Sequence, residues 1–342
     1  MAKEKSKATL EDIAALSGTS VATVSRVINA SSPVSKDLEV RVKQAMDELG
    51  FEPKRTKTRT KPYIIAFITS DSGNPTAAAI IAGAQDEANK LDLCLTVINI
   101  AKDPSYRTQN LELLKHRSFD GLVIDHSHLD PEKIVSEYNL HHIPIAVITP
   151  FIDSPRFYCI SCNRENGMYQ ATRYLLSLKH KEIAYLAEAP ELENSQSRLR
   201  GITRALGEAG LQFSEECYRH GITGIDGGFE AAISMLSHSE EQQPTAIIAY
   251  NDLLAIGAMH AIRTCNLSVP DDISVVGFNE MYFTPHTNPP LTTVSQPAHR
   301  EGQLAIQKIY NNLQGYDSNK GGYTLLECRL VVRESTGICK TA

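Results

Sequence analysis

The sequence predicts two architectures in one chain: a small all-α head and, behind it, a two-lobed α/β body with parallel sheets. Three observations carry this reading. The first fifty or so residues hold three helical patterns bounded by caps and breakers. From residue 63 onward, short apolar runs alternate with amphipathic stretches, the pattern of doubly wound sheets. Charge divides at the same place: residues 1–62 carry twelve Lys/Arg against eight Asp/Glu, and residues 63–342 carry 22 against 32. A basic head on an acidic body directs the head, not the body, toward a polyanion.

The first helix starts at Thr9, whose hydroxyl can cap it while Asp12 returns the bond, and Leu10, Ile13, Ala14 and Leu16 follow. Gly18 permits a sharp turn. Ser20 caps a second helix from Val21 to Asn29. At 100° per residue Val21, Val24, Val27 and Ile28 share one sector and pack inward. Ala22, Ser25, Arg26 and Asn29 share the opposite one. That second face is small and polar with a single cation, so it can lie close to the floor of a DNA groove. Pro33 breaks the chain, Ser35 caps a third helix with apolar positions 38, 42, 45, 46 and 49, and Gly50 closes it. Residues 51–62, FEPKRTKTRTKP, hold five Lys/Arg, two Pro and no apolar residue after Phe51. This reads as a basic linker, able to act as an arm on phosphates or as a tether.

Strands are expected over 63–68, 93–100, 121–125, 144–148, 157–161, 182–188, 246–252 and 273–279, apolar enough to be buried on both faces. Helices such as Thr76–Leu91 and Glu165–Leu178 separate them. The body is long enough for two lobes of roughly 130 residues, with ligands bound beyond the C-terminal strand ends.

Composition narrows the class. The chain is 42% hydrophobic and 22% charged, which is globular, and no apolar run reaches the ~18 residues of a spanning helix. Its polar start lacks a secretory core, and seven cysteines are an odd number, so reduced thiols in a cytoplasmic protein are expected. No G-x-S-x-G elbow, P-loop or H-E-x-x-H occurs, and neither a cofactor nor a metal is implied. Cys159 and Cys162, three apart in a strand, point to opposite faces and are poorly placed for joint ligation. Asp125-His126-Ser127-His128 reads as surface or pocket lining, and His141-His142 as solvated loop.

The stretch ATLEDIAALSGTSVATVSRVINASSPVS, residues 8–35, resembles the helix-turn-helix of the lactose/galactose repressor (LacI/GalR) family. FDGLVI, NRENG, YLLSLKHKEIAYL, SRLRG, YNDLLAIGAM, VPDDISVVGFN, PPLTTVSQP and LVVREST extend the resemblance along the body. It implies a helix-turn-helix DNA-binding domain (1–50), a linker (51–62) and a periplasmic-binding-protein-like, two-lobed effector-binding and dimerisation domain (63–342). It further implies a homodimer on a palindromic operator in double-stranded DNA. Val21 and Ala22 become base readers, Arg26 a base or phosphate contact, and Ser20, Thr23, Ser25 and Asn29 backbone contacts. The linker departs from the family: the Ala-Arg and Leu signature of its hinge helix is missing.

In the implied effector cleft, Asn194, Arg198 and Asn251 match ligand contacts. Thr76, with Ala77, stands where the family has bulky residues, and Cys162 and Asn279 stand where it has carboxylates that hold sugar hydroxyls. With Arg198 kept and two carboxylates absent, the expected effector is a sugar phosphate or acidic sugar rather than a neutral sugar. A carboxylate from Asp252 or Glu193 would restore a neutral ligand. The function expected is a sequence-specific transcription regulator, usually a repressor, under effector control and serving carbohydrate metabolism. The alternatives are an α/β enzyme with an appended DNA-binding head, which would need a nucleophile–base pair that the sequence does not show, and a constitutive DNA-binding regulator with a decayed pocket.

Overall fold

A computed structural model of the chain describes residues 9–29, 34–49, 51, 62–100, 110–115, 118–125, 129–148, 154–212, 217–220, 222–237, 243–316 and 321–340. The chain divides into two compact units, Met1–Pro62 with Gln314–Tyr316, and Tyr63–Leu313 with Asp317–Ala342.

The first unit holds α1 (Leu10–Ser17), α2 (Val21–Asn29) and α3 (Lys36–Glu48). Thr9 and Asp12 form the expected reciprocal cap, and Gly18 ends α1 in the left-handed region at φ 62°. The Ser20 hydroxyl accepts from the Thr23 N–H at 3.1 Å, and the Ser35 hydroxyl from the Leu38 N–H at 3.4 Å. Ile13, Ala14, Val24, Val42 and Ala45 make the core, with Val27 and Ile28 packed on it. Gly50, the expected stop, and the linker residues 52–61 lie outside the described residues.

The second unit is built on two six-stranded sheets. Its strands are β1 (Ile64–Thr69), β2 (Cys94–Asn99), β3 (Gly121–Asp125), β4 (Ile145–Ile148), β5 (Phe157–Cys162), β6 (Ile183–Leu186), β7 (Tyr218–Arg219), β8 (Ala246–Ala249), β9 (Ser274–Asn279), β10 (Thr292–Ser295), β11 (Gly322–Leu326) and β12 (Arg329–Val331). The N-lobe sheet runs β11-β5-β4-β3-β1-β2 and is parallel throughout. The C-lobe sheet runs β12-β10-β9-β8-β6-β7, parallel except for the β10–β12 pair.

Alternation builds the N-lobe core. Ala66, Ile68, Leu122, Ile124, Ile145, Val147, Phe157 and Cys159 cover one face. Ile65, Phe67, Val123, Ala146, Ile148, Tyr158 and Ile160 cover the other. β2 departs from the expectation of burial on both faces. It is an edge strand, and Cys94, Val97 and Asn99 are exposed.

Helices α4 (Pro75–Lys90), α5 (Pro131–Glu137) and α10 (Ala298–Leu313) flank the N-lobe, and α6 (Arg164–Ser177), α7 (Glu193–Glu208), α8 (Gly224–Leu236) and α9 (Asp252–Thr264) the C-lobe. The chain passes between lobes three times: from β5 into α6, from β10 into α10, and from β11 into β12. In each sheet the strand order reverses beside the first strand, at β1/β3 and at β6/β8. Ligands bind at such switch points.

Candidate DNA-reading helix and effector cleft

The reading face of α2 begins with its cap. Ser20 is committed to the helix start, and its hydroxyl also lies 2.9 Å from that of Thr23. Ala22 and Arg26 are exposed, and Ser25 is half-buried. Periodicity alone places Val21 in the packed sector with Val24. The structure corrects this: Val24 is fully buried, but Val21 is 42% exposed. Val21 is the first helical residue, one turn before Val24, and it stands outside the small core of the head. Its exposure puts Val21 and Ala22 side by side on accessible surface. The side chain of Asn29 lies outside the described residues.

In the second unit the cleft residues lie at the C-terminal strand ends. Thr76 is the second residue of α4, following β1. Asn279 ends β9, and the chain leaves that strand through two successive left-handed residues, Asn279 at φ 109° and Glu280 at φ 56°. Two strained residues in a row persist only where the surroundings fix them. Here Glu280 pairs with Arg333 at 2.9 Å, and the next N–H, that of Met281, is bound by Asp252.

Arg198, on α7, is 3% exposed. Its guanidinium carbon lies 3.8 Å from the Tyr250 ring centroid and 4.2 Å from that of Phe278. The two rings hold a desolvated cation by their π faces. Its Nη2 donates to the Asn279 side-chain Oδ1 at 3.4 Å, while Nε and Nη1 are buried with no hydrogen-bond partner among the described residues. The Asn279 amide group in turn donates to the Thr76 hydroxyl, so Arg198, Asn279 and Thr76 form a relay from one lobe to the other.

Other predicted residues are more committed. Asn251 is 4% exposed and caps α9: its oxygen accepts from the Leu254 N–H at 3.0 Å, and its amide donates to Glu188 at 3.1 Å. Asn194 sits in the first turn of α7, half-buried. Cys162 is 3% exposed, and its thiol faces Cys328. Cys159 packs in the N-lobe core with Phe157, on the opposite side of the strand. Of the Asp125-His126-Ser127-His128 stretch, Asp125 is described: it ends β3 and is 6% exposed, while 126–128 fall outside the described residues. His141 and His142 are exposed in a turn.

Neither carboxylate that could have restored a neutral-sugar site is free. Asp252 is fully buried, accepting from the Thr293 hydroxyl at 2.5 Å and the Met281 N–H at 2.7 Å. Burial pushes its carboxyl up to about 7 against those bonds. Glu193 pairs with Arg200 at 2.7 Å.

The sequence reading missed Arg164. It is the first residue of α6, 5% exposed, donating to the Ser161 hydroxyl at 3.2 Å and the Cys162 carbonyl at 3.3 Å, with Nε unpartnered among the described residues. Burial works against its charge, yet the neighbouring Cys162 and Glu301 hold its pKa above the ordinary value. Asp125, beside the Thr69 hydroxyl at 3.0 Å, is pushed up to about 6 by burial, with Thr69 and Arg164 pulling it back. No local signal in the sequence marks Arg164, because Glu301 and Cys328 reach it from the other two crossovers. Among the described residues no cluster of three or more His, Cys, Asp or Glu is arranged to hold a metal, and no helix is long and apolar enough to cross a membrane.

A capped helix-turn-helix with an accessible reading face, joined to a two-lobed body with a polar cleft at its strand ends, defines a DNA-binding regulator governed by a small molecule. Residues 9–54 match the family described as bacterial regulatory proteins, lacI family, and residues 172–336 match the periplasmic binding protein-like domain. The chain is 30% identical to the HTH-type transcriptional regulator DegA of Bacillus subtilis, over 98% of this chain and 100% of that protein. It is 30% identical to the HTH-type transcriptional repressor PurR of Aliivibrio fischeri MJ11, over 92% and 94%. Among solved structures, the Lac repressor dimer bound to operator and the anti-inducer ONPF matches with a TM-score of 0.72, at 29% identity over 97% of this chain and 100% of that one. The transcriptional regulator CelR in complex with cellobiose also matches with a TM-score of 0.72, at 26% identity over 96% and 99%. The chain belongs to the lacI family of bacterial transcription regulators and is not an enzyme.

Proposed function

We propose that this protein is a cytoplasmic homodimeric repressor of genes of carbohydrate metabolism, whose effector carries negative charge. Residues 1–50 read DNA, 51–62 act as a basic arm, and 63–342 bind effector and dimerise. Two heads place their α2 helices in successive major grooves of a palindromic operator. Val21, Ala22 and Arg26 meet base edges, while Ser20, Thr23, Ser25 and Asn29 meet the backbone. The dimer of the Lac repressor and the cellobiose held by CelR support the oligomeric state and the sugar-like part of the ligand.

The observation that carries the effector class is Arg198: buried, clamped between two rings, with two N–H positions unsatisfied among the described residues. An unpartnered buried cation is costly until an anion joins it, and guanidinium suits phosphate and carboxylate. Cys162 and Asn279 add no negative charge, and Asp252 and Glu193 are already engaged. Thr76 and Asn194 remain for hydroxyls, while the Asn251 and Asn279 side chains would have to exchange a present partner for one. A decayed pocket would be expected to neutralise its arginine internally, and among the described residues no carboxylate lies within ion-pair distance of Arg198.

The test is calorimetry on the purified protein with glucose 6-phosphate, gluconate and glucose. The acidic ligands should bind at least tenfold more tightly than glucose, and Arg198→Ala should remove the difference. Tight binding of the neutral sugar, undiminished in Arg198→Ala, would refute the reading.

A further inference from the structure

The side chains that hold the left-handed bend at Asn279 and Glu280 come from elsewhere in the sequence. Arg333 belongs to the LVVREST stretch that follows β12, and its side chain is 15% exposed. Its Nη2 donates to Glu280 at 2.9 Å. Its Nη1 donates to the Thr284 hydroxyl at 3.1 Å and to the Leu291 carbonyl at 2.8 Å. The planar guanidinium thus ties the bend to the turn at Thr284 and to the residue before β10, a fork that a lysine ammonium does not reproduce.

Arg333 is itself anchored. Its backbone N–H donates to the Thr292 hydroxyl at 2.9 Å. Two residues further on, the buried Ser335 hydroxyl accepts from the Thr292 N–H at 2.8 Å and donates to the Val275 carbonyl at 2.6 Å. A second hold comes from α9. One oxygen of Asp252 accepts from the Met281 N–H, and the other from the Thr293 hydroxyl. A Cβ on Gly277 would lie 2.3 Å from that second oxygen, so the carboxylate rests against the backbone of β9. Three consecutive residues are therefore tied to different parts of the fold: Asn279 to Arg198 and Thr76, Glu280 to Arg333, and Met281 to Asp252.

We propose that Arg333, acting through Glu280, is a positioning residue for effector recognition: it keeps the bend in the conformation that sets the Asn279 side chain between Arg198 and Thr76. The inference rests on the reading that Asn279 meets the effector. Arg333 needs no contact with the effector itself. An exposed ion pair fixes little, because both side chains stay free to move. Here the cation is largely buried, shared among three acceptors and pinned through its own backbone. Left-handed backbone is costly for residues that carry a Cβ, so a bend released from Arg333 relaxes toward ordinary values. Asn279 then turns away from Arg198, and the cleft loses a hydrogen-bonding group that was set in place beforehand.

The experiment measures melting temperature, deuterium exchange over residues 277–284, and calorimetric binding of glucose 6-phosphate, gluconate and glucose, all on the full-length protein. Arg333→Gln and Glu280→Ala should speed exchange in this segment while the rest of the body keeps its protection. Both should weaken whichever of the three ligands the parent binds by about tenfold, that is ~1.4 kcal/mol. Glu280→Gln keeps an acceptor for Arg333 and should restore both properties, whereas Arg333→Lys should not. Parental affinity with parental exchange in Arg333→Gln and Glu280→Ala would overturn the proposal and leave Asp252 as the sole hold on the bend. Preference of the parent for glucose would refute the negatively charged effector and leave the role of Arg333 standing, provided that the variants weaken the binding of glucose. If the parent binds none of the three, the effector reading fails and exchange decides: an unchanged segment overturns the role, and a loosened one supports it. Should Arg333→Gln fail to fold, the two Glu280 variants carry the test.

Discussion

On the proposed reading, Arg26 and Arg198 are cations that meet their partners by opposite means. Arg26 is exposed on a short helix among small side chains, so water stabilises it until a groove replaces the water. Arg198 is desolvated already, and its orientation is fixed by Tyr250, Phe278 and Asn279. A base-contacting arginine is worth ~1–3 kcal/mol. Arg26→Ala should therefore lose operator preference while the body stays folded. A gel-shift assay with selected and scrambled DNA checks this, and an unchanged ratio between them would contradict the role given to Arg26. The residue scale also shows where reading a sequence succeeds. Arg198 and Asn279 are legible because each stands in a stretch, SRLRG and VPDDISVVGFN, that resembles the family. Arg164 is not, since its burial arises from chain segments more than a hundred residues apart, and a lone arginine at a helix start looks solvated. Periodicity misplaces Val21, because a helical wheel knows nothing of how far the core extends along the helix axis.

At the scale of elements, glycines set the closest approaches. A Cβ on Gly302 in α10 would lie 1.9 Å from the Ile80 carbonyl oxygen in α4, and one on Gly83 in α4 would lie 1.9 Å from the His299 carbonyl oxygen in α10. The two helices touch backbone to backbone at both ends of one crossing. Gly302→Ala must force them apart, and overpacking of this kind costs ~1–3 kcal/mol. A matching fall in the urea midpoint is expected, and a variant as stable as the parent would mean that the crossing is looser than described. The segment after β12 gives a pH dependence through its contact with His180. His180 lies 3.0 Å from the Thr245 hydroxyl and 3.0 Å from the Gly337 carbonyl. Burial lowers its pKa below the ordinary 6.5, more than the Gly337 bond restores. The neutral ring is thus the stabilising form. Its contribution is present above about 6.5 and disappears as pH falls through the lowered value. His180→Asn should flatten the acid side of the melting-temperature profile. Element types are largely legible from caps and apolar runs. The short strands β10, β11 and β12 are not, because three to five mixed residues carry no period, and only their neighbours make them strands.

For the whole molecule, charge divides the work. The linker adds five cations within residues 51–62 and offers no apolar wedge. Changing Lys57, Arg59 and Lys61 to Gln should flatten the salt dependence of operator binding by about 0.9 log units for each phosphate no longer neutralised. Fluorescence anisotropy over a salt series would measure it, and a slope equal to that of the parent would rule the arm out as a partner of the phosphates. Operator DNA should stay nearly straight. Strong bending at the dyad, measured by FRET between labelled ends, would show that the segment wedges after all.

The triple passage between the lobes bears on how the protein is made. The N-lobe sheet takes its edge strand from Gly322–Leu326, and one of its faces is covered by Ala298–Leu313. Both are translated after every other element of the N-lobe. Through most of synthesis, Ile65, Phe67, Val123 and Ile148 have no helix α10 to bury them, although their own strands are long since translated. A nascent chain stopped near residue 297 would contain nearly the whole C-lobe and an N-lobe that lacks α10 and β11, with part of an apolar face bare. Such a chain is a chaperone client by construction. Premature termination before α10 is complete at Leu313 should give aggregates or degradation, rather than a shortened repressor that still occupies its operator.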